Sequence, residues 1–254
     1  MDILLCGCCG YMGKVVTACA ARRDDCRIVA GVDLVADPSL PFPVFSSAEP
    51  CDVKADVIID FSHPSALDGV LGYAKRTKTP LLVAPTGLSE QQQQQLRDAA
   101  GEIAVFFSGN MSLGICLLMQ LAKIAAGVLG PDFDAEIVEK HHRRKLDAPS
   151  GTALMLADAV SAGMESAPQY VYTRHDRRTQ RPQNEIGISA VRGGTIVGEH
   201  EIIFAGQDEI LTLSHSARSR DLFAVGAVNA ALFLYKQPCG FYNMSDVVSA
   251  AAAK

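Results

Sequence analysis

A fifteen-residue segment from Glu139 to Ala153, EKHHRRKLDAPSGTA, combines several groups that can do chemistry. Its adjacent histidines, His141 and His142, can donate or accept protons near neutral pH. Three cations follow them and can hold an anion. The Ser-Gly-Thr sequence predicts the start of a helix, where unpaired N–H groups attract a carboxylate. The segment therefore predicts proton transfer to an anionic substrate.

A second candidate site is the glycine-rich segment between the first predicted strand and the first predicted helix. Its spacing is G-x-x-G-x-x-G rather than G-x-G-x-x-G, because Cys9 stands at the middle position. Glycines let the backbone approach a pyrophosphate, and the helix N-terminus offers N–H donors. We therefore predict that a dinucleotide contacts Gly7, Cys8, Cys9, Gly10, Tyr11 and Met12.

An acidic residue, Asp33, stands twenty residues after Gly13, at the end of the second predicted strand. A carboxylate there can accept hydrogen bonds from the adenosine ribose hydroxyls. It also repels a 2′-phosphate, and the next residue is Leu34 rather than an arginine. We therefore predict NADH as the preferred cofactor over NADPH. A glycine turn followed by a chance aspartate is the alternative interpretation.

Two further loops follow predicted strands and consist of small or polar residues. In an open α/β sheet, the strand ends line the ligand crevice. These loops suit contacts with the nicotinamide half, although each one alone could be an ordinary loop. The predicted contact residues are Ala84, Pro85 and Thr86 in one loop, and Ser108, Gly109, Asn110 and Met111 in the other.

Short apolar runs alternate with helical patterns up to about residue 110. Strands separated by helices predict a Rossmann-type, doubly wound parallel sheet. After residue 112 a helix pair and closely spaced strand patterns predict a second α+β domain with an open mixed sheet. Gly193-Gly194 and Gly206-Gln207-Asp208 are typical of tight antiparallel turns between the last strands. We expect a dinucleotide-binding domain over 1–111 and 221–254, and a substrate-binding and oligomerisation domain over 112–220.

The composition sets limits on partners and location. The formal net charge of −5 offers no global attraction to nucleic acid or to an anionic membrane. Ile103 to Ala122 carries no charge, but the polar 108–112 stretch interrupts it, so we predict no membrane span. Eight cysteines without a recognisable signal sequence predict reduced thiols and a cytoplasmic protein. Histidines, cysteines and acids do not show metal-ligand spacing, so we predict no metal.

The segment E-x-H-H-x-x-K-x-D-A-P-S-G-T-A resembles the signature of the 4-hydroxy-tetrahydrodipicolinate (dihydrodipicolinate) reductase family of the diaminopimelate route to lysine. The resemblance extends over essentially the whole chain. It includes the G-x-x-G-x-M-G opening, the DFSHP sequence at 60–64, the VRGGTIVGEH sequence at 191–200, and the loops at 86–87 and 110. It implies an NAD(P)H-dependent reductase, a small dicarboxylate substrate and a homotetramer.

The resemblance also implies roles for single residues. His141 is then the proton donor or acceptor and Lys145 a proton donor, while the substrate carboxylates are held by His142, Ser150, Gly151 and Thr152. Two loops depart from the common family pattern. Ala-Pro-Thr stands where Gly-Thr-Thr is frequent, and Ser-Gly-Asn-Met stands where Ala-x-Asn-Phe is common. The first departure removes a hydroxyl and one backbone N–H from the loop that the resemblance assigns to the nicotinamide.

Two other functions compete with this interpretation. A different Rossmann dehydrogenase, such as a semialdehyde dehydrogenase, needs a cysteine nucleophile, and Cys116 in an apolar helix is a poor candidate. A non-catalytic NAD-binding sensor or nucleic-acid binder could use HHRRK and the arginines at 174–181 as a basic surface. The Ser-Gly-Thr helix start has no purpose in such a binder, and we expect no nucleic-acid partner.

Overall fold

A computed structural model describes residues 1–35, 37–175 and 177–253. Ala36, Asp176 and Lys254 lie outside the described residues, so one position of the predicted 174–183 loop and the last position of the expected 221–254 segment are not described. The chain divides into two compact units. The first comprises Met1–Ser112 and Asp221–Lys254, and the second comprises Leu113–Arg220.

The first unit is built on a seven-stranded sheet in which every neighbouring pair of strands is parallel. The strands are β1 (Asp2–Cys6), β2 (Arg27–Val32), β3 (Val44–Phe45), β4 (Val57–Asp60), β5 (Leu81–Val83), β6 (Ala104–Phe107) and β12 (Gly240–Tyr242). Their order is β12-β6-β5-β4-β1-β2-β3, so the winding direction reverses between β1 and β4. The prediction of a doubly wound parallel sheet is therefore confirmed, and the reversal places a ligand crevice beyond the end of β1.

Five α-helices accompany this sheet: α1 (Tyr11–Ala20), α2 (Leu67–Thr77), α3 (Glu90–Ala99), α6 (Asp221–Leu234) and α7 (Met244–Ala252). The glutamine run belongs to α3, which begins with a capping box between Ser89 and Gln92. The apolar helix α6 packs on α1 and on the central strands. Buried side chains such as Leu4, Ile58 and Val105 form the core of this unit.

The second unit contains a five-stranded sheet of β7 (Asp134–His141), β8 (Gln169–Val171), β9 (Glu185–Arg192), β10 (Gly198–Ala205) and β11 (Ile210–Ala217). Its order is β11-β10-β7-β9-β8. The pairs on the β11 side are antiparallel and those on the β8 side are parallel. Helices α4 (Leu113–Leu129) and α5 (Gly151–Ser161) pack together over a core that includes Ile137 and Ile202. The predicted open mixed sheet is confirmed.

One of the two predicted tight turns is wrong. Gly193-Gly194 does not join paired strands, because β7 lies between β9 and β10 in the sheet. The segment after β9 instead crosses the end of β7, where Gly193 N–H donates to the His141 carbonyl at 2.9 Å. The other turn is confirmed, since β10 and β11 form an antiparallel pair closed by a 2.9 Å bond from Gly206 N–H to the Glu209 carbonyl.

Helix α4 carries apolar side chains on its exposed face as well as on its buried face. Ile115, Leu118 and Ala122 are buried in the unit, whereas a second stripe is exposed, with Ile124 at 61% and Val128 at 78%. Together with the short 3-10 turn that follows, Leu113–Asp132 is long and apolar enough to span a membrane by length and composition alone. Since one face of α4 packs in the core of the second unit, its apolar composition is also explained by a role as a core helix.

Candidate active site: a glycine loop and a buried carboxylate–histidine pair

The glycines after β1 permit close backbone contacts that no other residue type allows. Gly7 has φ +75°, and a Cβ there would lie 2.6 Å from the Phe61 carbonyl oxygen. A Cβ on Gly13 would lie 2.2 Å from the Gly7 carbonyl oxygen. The first turn of α1 is therefore pressed onto the loop, so that its N-terminus faces the end of the sheet.

The N-terminus of α1 has the properties of an anion site. Gly10 is the N-cap and supplies no side-chain hydrogen bond, and the first turn carries no acidic residue. The N–H groups of such a turn lack helical partners and lie at the positive end of the helix dipole. Burial raises the pKa of the Cys8 thiol to about 12, so this side chain is a neutral thiol in the free chain. Tyr11 is exposed and Met12 is half-buried at the start of the helix.

Asp33 follows β2 directly and points back to the glycine loop. Its Oδ2 accepts the N–H of Cys9 at 2.9 Å, while Oδ1 makes a long contact of 3.5 Å with the N–H of Val35 among the residues that the structure describes. One carboxylate oxygen is thus fixed by the glycine loop. This arrangement fits the predicted contact with a ribose hydroxyl.

The two other predicted cofactor loops follow β5 and β6, whose ends lie at the same edge of the sheet as β1. In the first, Ala84 donates its N–H to the Asp60 carbonyl at 2.9 Å, Pro85 is buried and Thr86 is exposed. In the second, the buried Asn110 accepts the N–H of Ser112 at 2.8 Å through its side-chain oxygen.

The second loop also uses Ser108 internally, because its hydroxyl donates to the Asn110 carbonyl at 2.9 Å. Met111 is buried, and its carbonyl lies so close to Gly226 of α6 that a Cβ there would clash. Gly109 is exposed. The side chain of Asn110 and the backbone of Met111 therefore shape the loop, and Gly109 is exposed beside them.

In the second unit, the carboxyl ends of β7 and β9 meet and bring together groups from three segments. Glu139 is fully buried and accepts two hydrogen bonds from the Arg192 guanidinium, at 2.7 Å on Oε2 and 2.6 Å on Oε1. Oε2 also lies 2.6 Å from Nδ1 of His141, and Oε1 accepts the N–H of Ser150 at 3.0 Å. One carboxylate therefore connects the predicted proton donor with the start of α5.

The charge on Glu139 decides which nitrogen of His141 carries a proton. Burial works to raise the pKa of Glu139, but hydrogen bonds from Arg192 and His141 outweigh it, so the pKa lies below its usual value. The ionised carboxylate can only accept, so Nδ1 of His141 donates and Nε2 faces away from Glu139. Nε2 lies against Gly198, where an added Cβ would be 3.1 Å from it.

Ser150 is the N-cap of α5, as the Ser-Gly-Thr motif predicts. Its hydroxyl accepts the N–H of Ala153 at 3.2 Å and lies 3.2 Å from Nε2 of His200. The His200 ring stands edge-on to His141, with ring centroids 5.2 Å apart. Burial, followed by the neighbouring charge of His141, lowers the pKa of His200 to about 4, so this ring is neutral at pH 7.

A carboxylate of the protein itself occupies the predicted anion site. Asp147 lies 2.8 Å from the Lys145 ammonium, and its carboxylate also interacts with the backbone N–H of Gly151. The Lys145 bond is the main reason why the pKa of Asp147 lies below its usual value. Thr152 is half-buried in the same first turn of α5. Lys145 and the helix start thus converge on one carboxylate.

His142 contacts a different group from His141. Its Nε2 lies 3.4 Å from the guanidinium of Arg220, and burial together with the positive charges of Arg144 and Arg220 lowers its pKa. Nδ1 of His142 has no hydrogen-bond partner among the described residues. As a neutral ring, His142 can donate a hydrogen bond to a ligand or accept one from it.

Several residues of the site were not assigned a role from sequence. Arg192 and His200 lie on β9 and β10, far along the chain from His141, and Asp147 stood inside the signature without a function. Glu139 was also left without a role, although the alternation of β7 was a usable signal for it, because residues two apart share a face of a strand. Glu139 and His141 are such a pair, and the acid was the natural partner to expect.

The described residues of the arginine-rich 174–183 loop are mostly exposed, but acidic residues neutralise much of the charge of its arginines. Arg181 contacts Asp134 at 2.5 Å and Glu136 at 2.9 Å. Arg174 pairs with Glu136 at 3.1 Å and with the buried Glu185. These arginines balance carboxylates of their own unit, so the loop is a weak basic surface for a nucleic acid.

The sequence predicted no metal, yet the structure groups three residues with metal-ligand chemistry. The ligand atoms of Cys8, Cys9 and Asp33 all lie within 4.8 Å of one another. All eight cysteines are free thiols, and six of them are buried.

Comparison with known proteins places this geometry in context. Family models of the N-terminus and the C-terminus of dihydrodipicolinate reductase match residues 1–111 and 114–248. The 4-hydroxy-tetrahydrodipicolinate reductase of Caldanaerobacter subterraneus subsp. tengcongensis is 50% identical over 246 residues, which cover 97% of each chain. That of Clostridium tetani is 43% identical over 249 residues, covering 97% of this chain and 96% of the relative. The dipicolinate-bound dihydrodipicolinate reductase of Paenisporosarcina sp. TG-14 shares the fold, with a TM-score of 0.80 at 24% identity over 96% of this chain and 97% of that one.

Proposed function

The chain belongs to the dihydrodipicolinate reductase family and is an oxidoreductase, and we propose that His141 and Lys145 supply protons when it reduces 4-hydroxy-tetrahydrodipicolinate to tetrahydrodipicolinate. The reaction belongs to the diaminopimelate route to lysine. The observation that carries the assignment of roles is the position of Glu139, which accepts from both His141 and the N-cap residue of α5. The proton donor and the carboxylate receptor are therefore built on the same buried group.

Substrate carboxylates take the place that Asp147 occupies at Lys145 and the start of α5. Ser150 holds the helix start in position, Gly151 and Thr152 offer N–H groups, and His142 supplies a ring nitrogen to a second carboxylate. Lys145 is then close to the substrate and can deliver a proton as well as stabilise developing charge. The Glu139 carboxylate stabilises the imidazolium form of His141 that donates a proton through Nε2.

The first unit has the features that a nicotinamide dinucleotide requires, and this cofactor supplies the hydride when bound. Residues 7–12 hold the pyrophosphate at the uncapped start of α1, and the loops at 84–86 and 108–111 contact the nicotinamide half. Asp33 receives the ribose hydroxyls through Oδ1, and its charge favours NADH over NADPH. Steady-state kinetics with both cofactors test this preference, and a clear advantage for NADPH contradicts it.

We also propose that the enzyme is a cytoplasmic homotetramer that binds neither nucleic acid nor membrane. The support is the apolar stripe of α4 together with Ile210 and Leu211 of β11, which are exposed in the isolated chain. Four residues of α4 at helical spacing form the stripe: Leu117, Leu121, Ile124 and Val128. Packing between copies would cover this surface. A single species of four times the chain mass in light scattering is expected, and a monomer contradicts the proposal.

The roles are tested by following the loss of reduced-nicotinamide absorbance with freshly generated substrate. His141→Ala is expected to lower kcat by about 10²- to 10⁴-fold, the contribution of general acid catalysis, with little change in KM. His175→Ala, which changes an exposed histidine of the same unit, is the matched control. Unchanged turnover in the His141 variant removes this residue from the mechanism.

A further inference from the structure

The vicinal cysteines of the glycine loop and the aspartate after β2 form a cluster in which the two sulfur atoms have no part in the proposed hydride transfer. Sγ of Cys8 lies 3.8 Å from Sγ of Cys9. The Asp33 carboxylate completes the group, and all three ligand atoms lie within 4.8 Å of one another. Cys8 is fully buried, whereas Cys9 and Asp33 are half-buried, so the cluster is open on one side.

The spacing of the two sulfur atoms agrees with tetrahedral metal coordination. Zinc–sulfur bonds of about 2.3 Å at a tetrahedral angle separate two sulfurs by about 3.8 Å. Thiolates and a carboxylate are ligands that Zn²⁺ accepts, and three protein ligands leave a fourth position for water. The thiols need little movement to meet this requirement, because they are neighbours in the chain and already in contact.

We propose that Cys8, Cys9 and Asp33 form a Zn²⁺ site at the glycine loop, and that zinc bound there excludes the dinucleotide. Binding replaces the protons of two thiols by one cation, so two protons are released and no electrons are transferred. The Cys9 thiol, which donates to the Val35 carbonyl at 3.0 Å, gives up that bond.

The exclusion follows from shared atoms and rests on the proposed dinucleotide site. The carboxylate that receives the ribose hydroxyls is the same one that binds the cation. Asp33 also accepts the N–H of Cys9, so a cation drawn between these residues displaces the loop that faces the pyrophosphate. Zinc binding itself does not depend on that function, because all three ligands belong to the unliganded chain.

Calorimetric titration of the reduced, dinucleotide-free protein with Zn²⁺ tests the site. One equivalent per chain is expected, with about two protons released, as read from the dependence of the heat on the buffer. Cys9→Ser is the main variant, because Cys9 is only half-buried and its hydroxyl analogue fits the same space. Its zinc affinity is expected to fall by at least about 10- to 100-fold. Cys239→Ser removes an exposed thiol elsewhere in the first unit and is expected to bind zinc unchanged.

Absence of stoichiometric binding, or equal affinity in Cys9→Ser and the unsubstituted protein, overturns the site. Loss of binding in Cys239→Ser also overturns it, because it assigns the metal to another thiol.

NADH titrations followed by fluorescence, with and without one equivalent of Zn²⁺, test the exclusion. A weaker apparent NADH affinity with zinc supports it, and an unchanged affinity overturns it. If the zinc-free protein does not bind NADH, the dinucleotide assignment fails, while the zinc stoichiometry still decides the metal site.

Discussion

Replacement of Glu139 by glutamine separates the two tasks of this buried carboxylate. Oε1 accepts from Ser150 and Arg192, and Oε2 accepts from His141 and Arg192. A glutamine that keeps its oxygen at the Oε1 position preserves the bond to the N-cap residue of α5. Its NH₂ group then faces His141 and the second N–H of Arg192, which are both donors.

The consequence for His141 is a change of tautomer. An NH₂ group at 2.6 Å from Nδ1 requires that nitrogen to accept, so the proton of a neutral ring moves to Nε2. The imidazolium form also loses its counter-charge. We therefore expect kcat to fall by about 10²- to 10⁴-fold, the range of general acid catalysis, which corresponds to about 3 to 5 kcal/mol in the barrier. KM for the substrate is expected to change little, because the anion site keeps its support.

The assay is steady-state turnover at saturating cofactor, combined with urea unfolding to show that each variant is folded. Loss of a charged partner for Arg192 also lowers the free energy of unfolding, by up to about 3 to 5 kcal/mol if the pair is fully broken. Glu199→Gln is the matched control, since Glu199 is half-buried on β10 and pairs with Lys140 at 3.4 Å, away from the Glu139 cluster. A folded Glu139→Gln enzyme with kcat within about threefold of the control value refutes the reasoning.

Three further substitutions change residues that lie beside His141 or Lys145. Gly198→Ala is expected to lower kcat about tenfold, because a Cβ at 3.1 Å from Nε2 displaces the His141 ring by a few tenths of an ångström. His200→Gln is expected to remove pH-dependent stability. The pKa of His200 falls from 6.5 to about 4 on folding, which corresponds to about 3 kcal/mol that is present above pH 6.5 and lost as the pH falls towards 4. Asp147→Asn is expected to tighten dipicolinate binding by up to about fivefold, because it removes the carboxylate that competes at Lys145 and an exposed ion pair contributes at most about 1 kcal/mol.

Each of these has a control and a contradicting result. Gly72→Ala adds a methyl group where nothing lies within 4 Å, and equal activity of both alanine variants contradicts the crowding of His141. For His200, urea unfolding at pH 7 and pH 4.5 is compared with His175→Gln, and an unchanged difference between the two pH values contradicts the linkage. For Asp147, calorimetry that shows weaker dipicolinate binding contradicts competition and makes this carboxylate part of the receptor.

The Rossmann half of the fold was predictable because its signals are local. Apolar runs such as that of β1, followed by glycines and a helical pattern, specify a strand, a turn and a helix within about twenty residues. The parallel order then follows from the alternation itself. Strands β3, β8 and β12 were missed, because two or three residues carry no periodicity and are held by their neighbours in the sheet.

The order of strands in the second unit was not predictable in the same way. Two strand patterns around Gly193-Gly194 have the local appearance of a hairpin, but the partner of both strands is β7, some fifty residues earlier. Pairing of this kind depends on which sheet edge is still open when the strand docks, and no short window of sequence contains that information. Because of the misassigned turn, Arg192 was not predicted as part of the site, since it lies beside His141 only in the observed strand order.

The site itself shows why residues with a recognisable chemistry were found and their organiser was not. His141, Lys145 and the Ser-Gly-Thr start are reactive groups, and their types suggest a function even in an extended chain. Glu139 acquires its function only when β9 brings Arg192 to it, since a carboxylate buried alone would be protonated rather than charged. Arg192 keeps the acid ionised, the ionised acid sets the His141 tautomer, and its second oxygen fixes Ser150. The proton donor and the anion receptor are thus coupled through one ion pair. Replacement of Arg192 itself is therefore expected to affect both kcat and KM, whereas Glu139→Gln keeps the Oε1 bonds to Ser150 and Arg192 and affects mainly kcat.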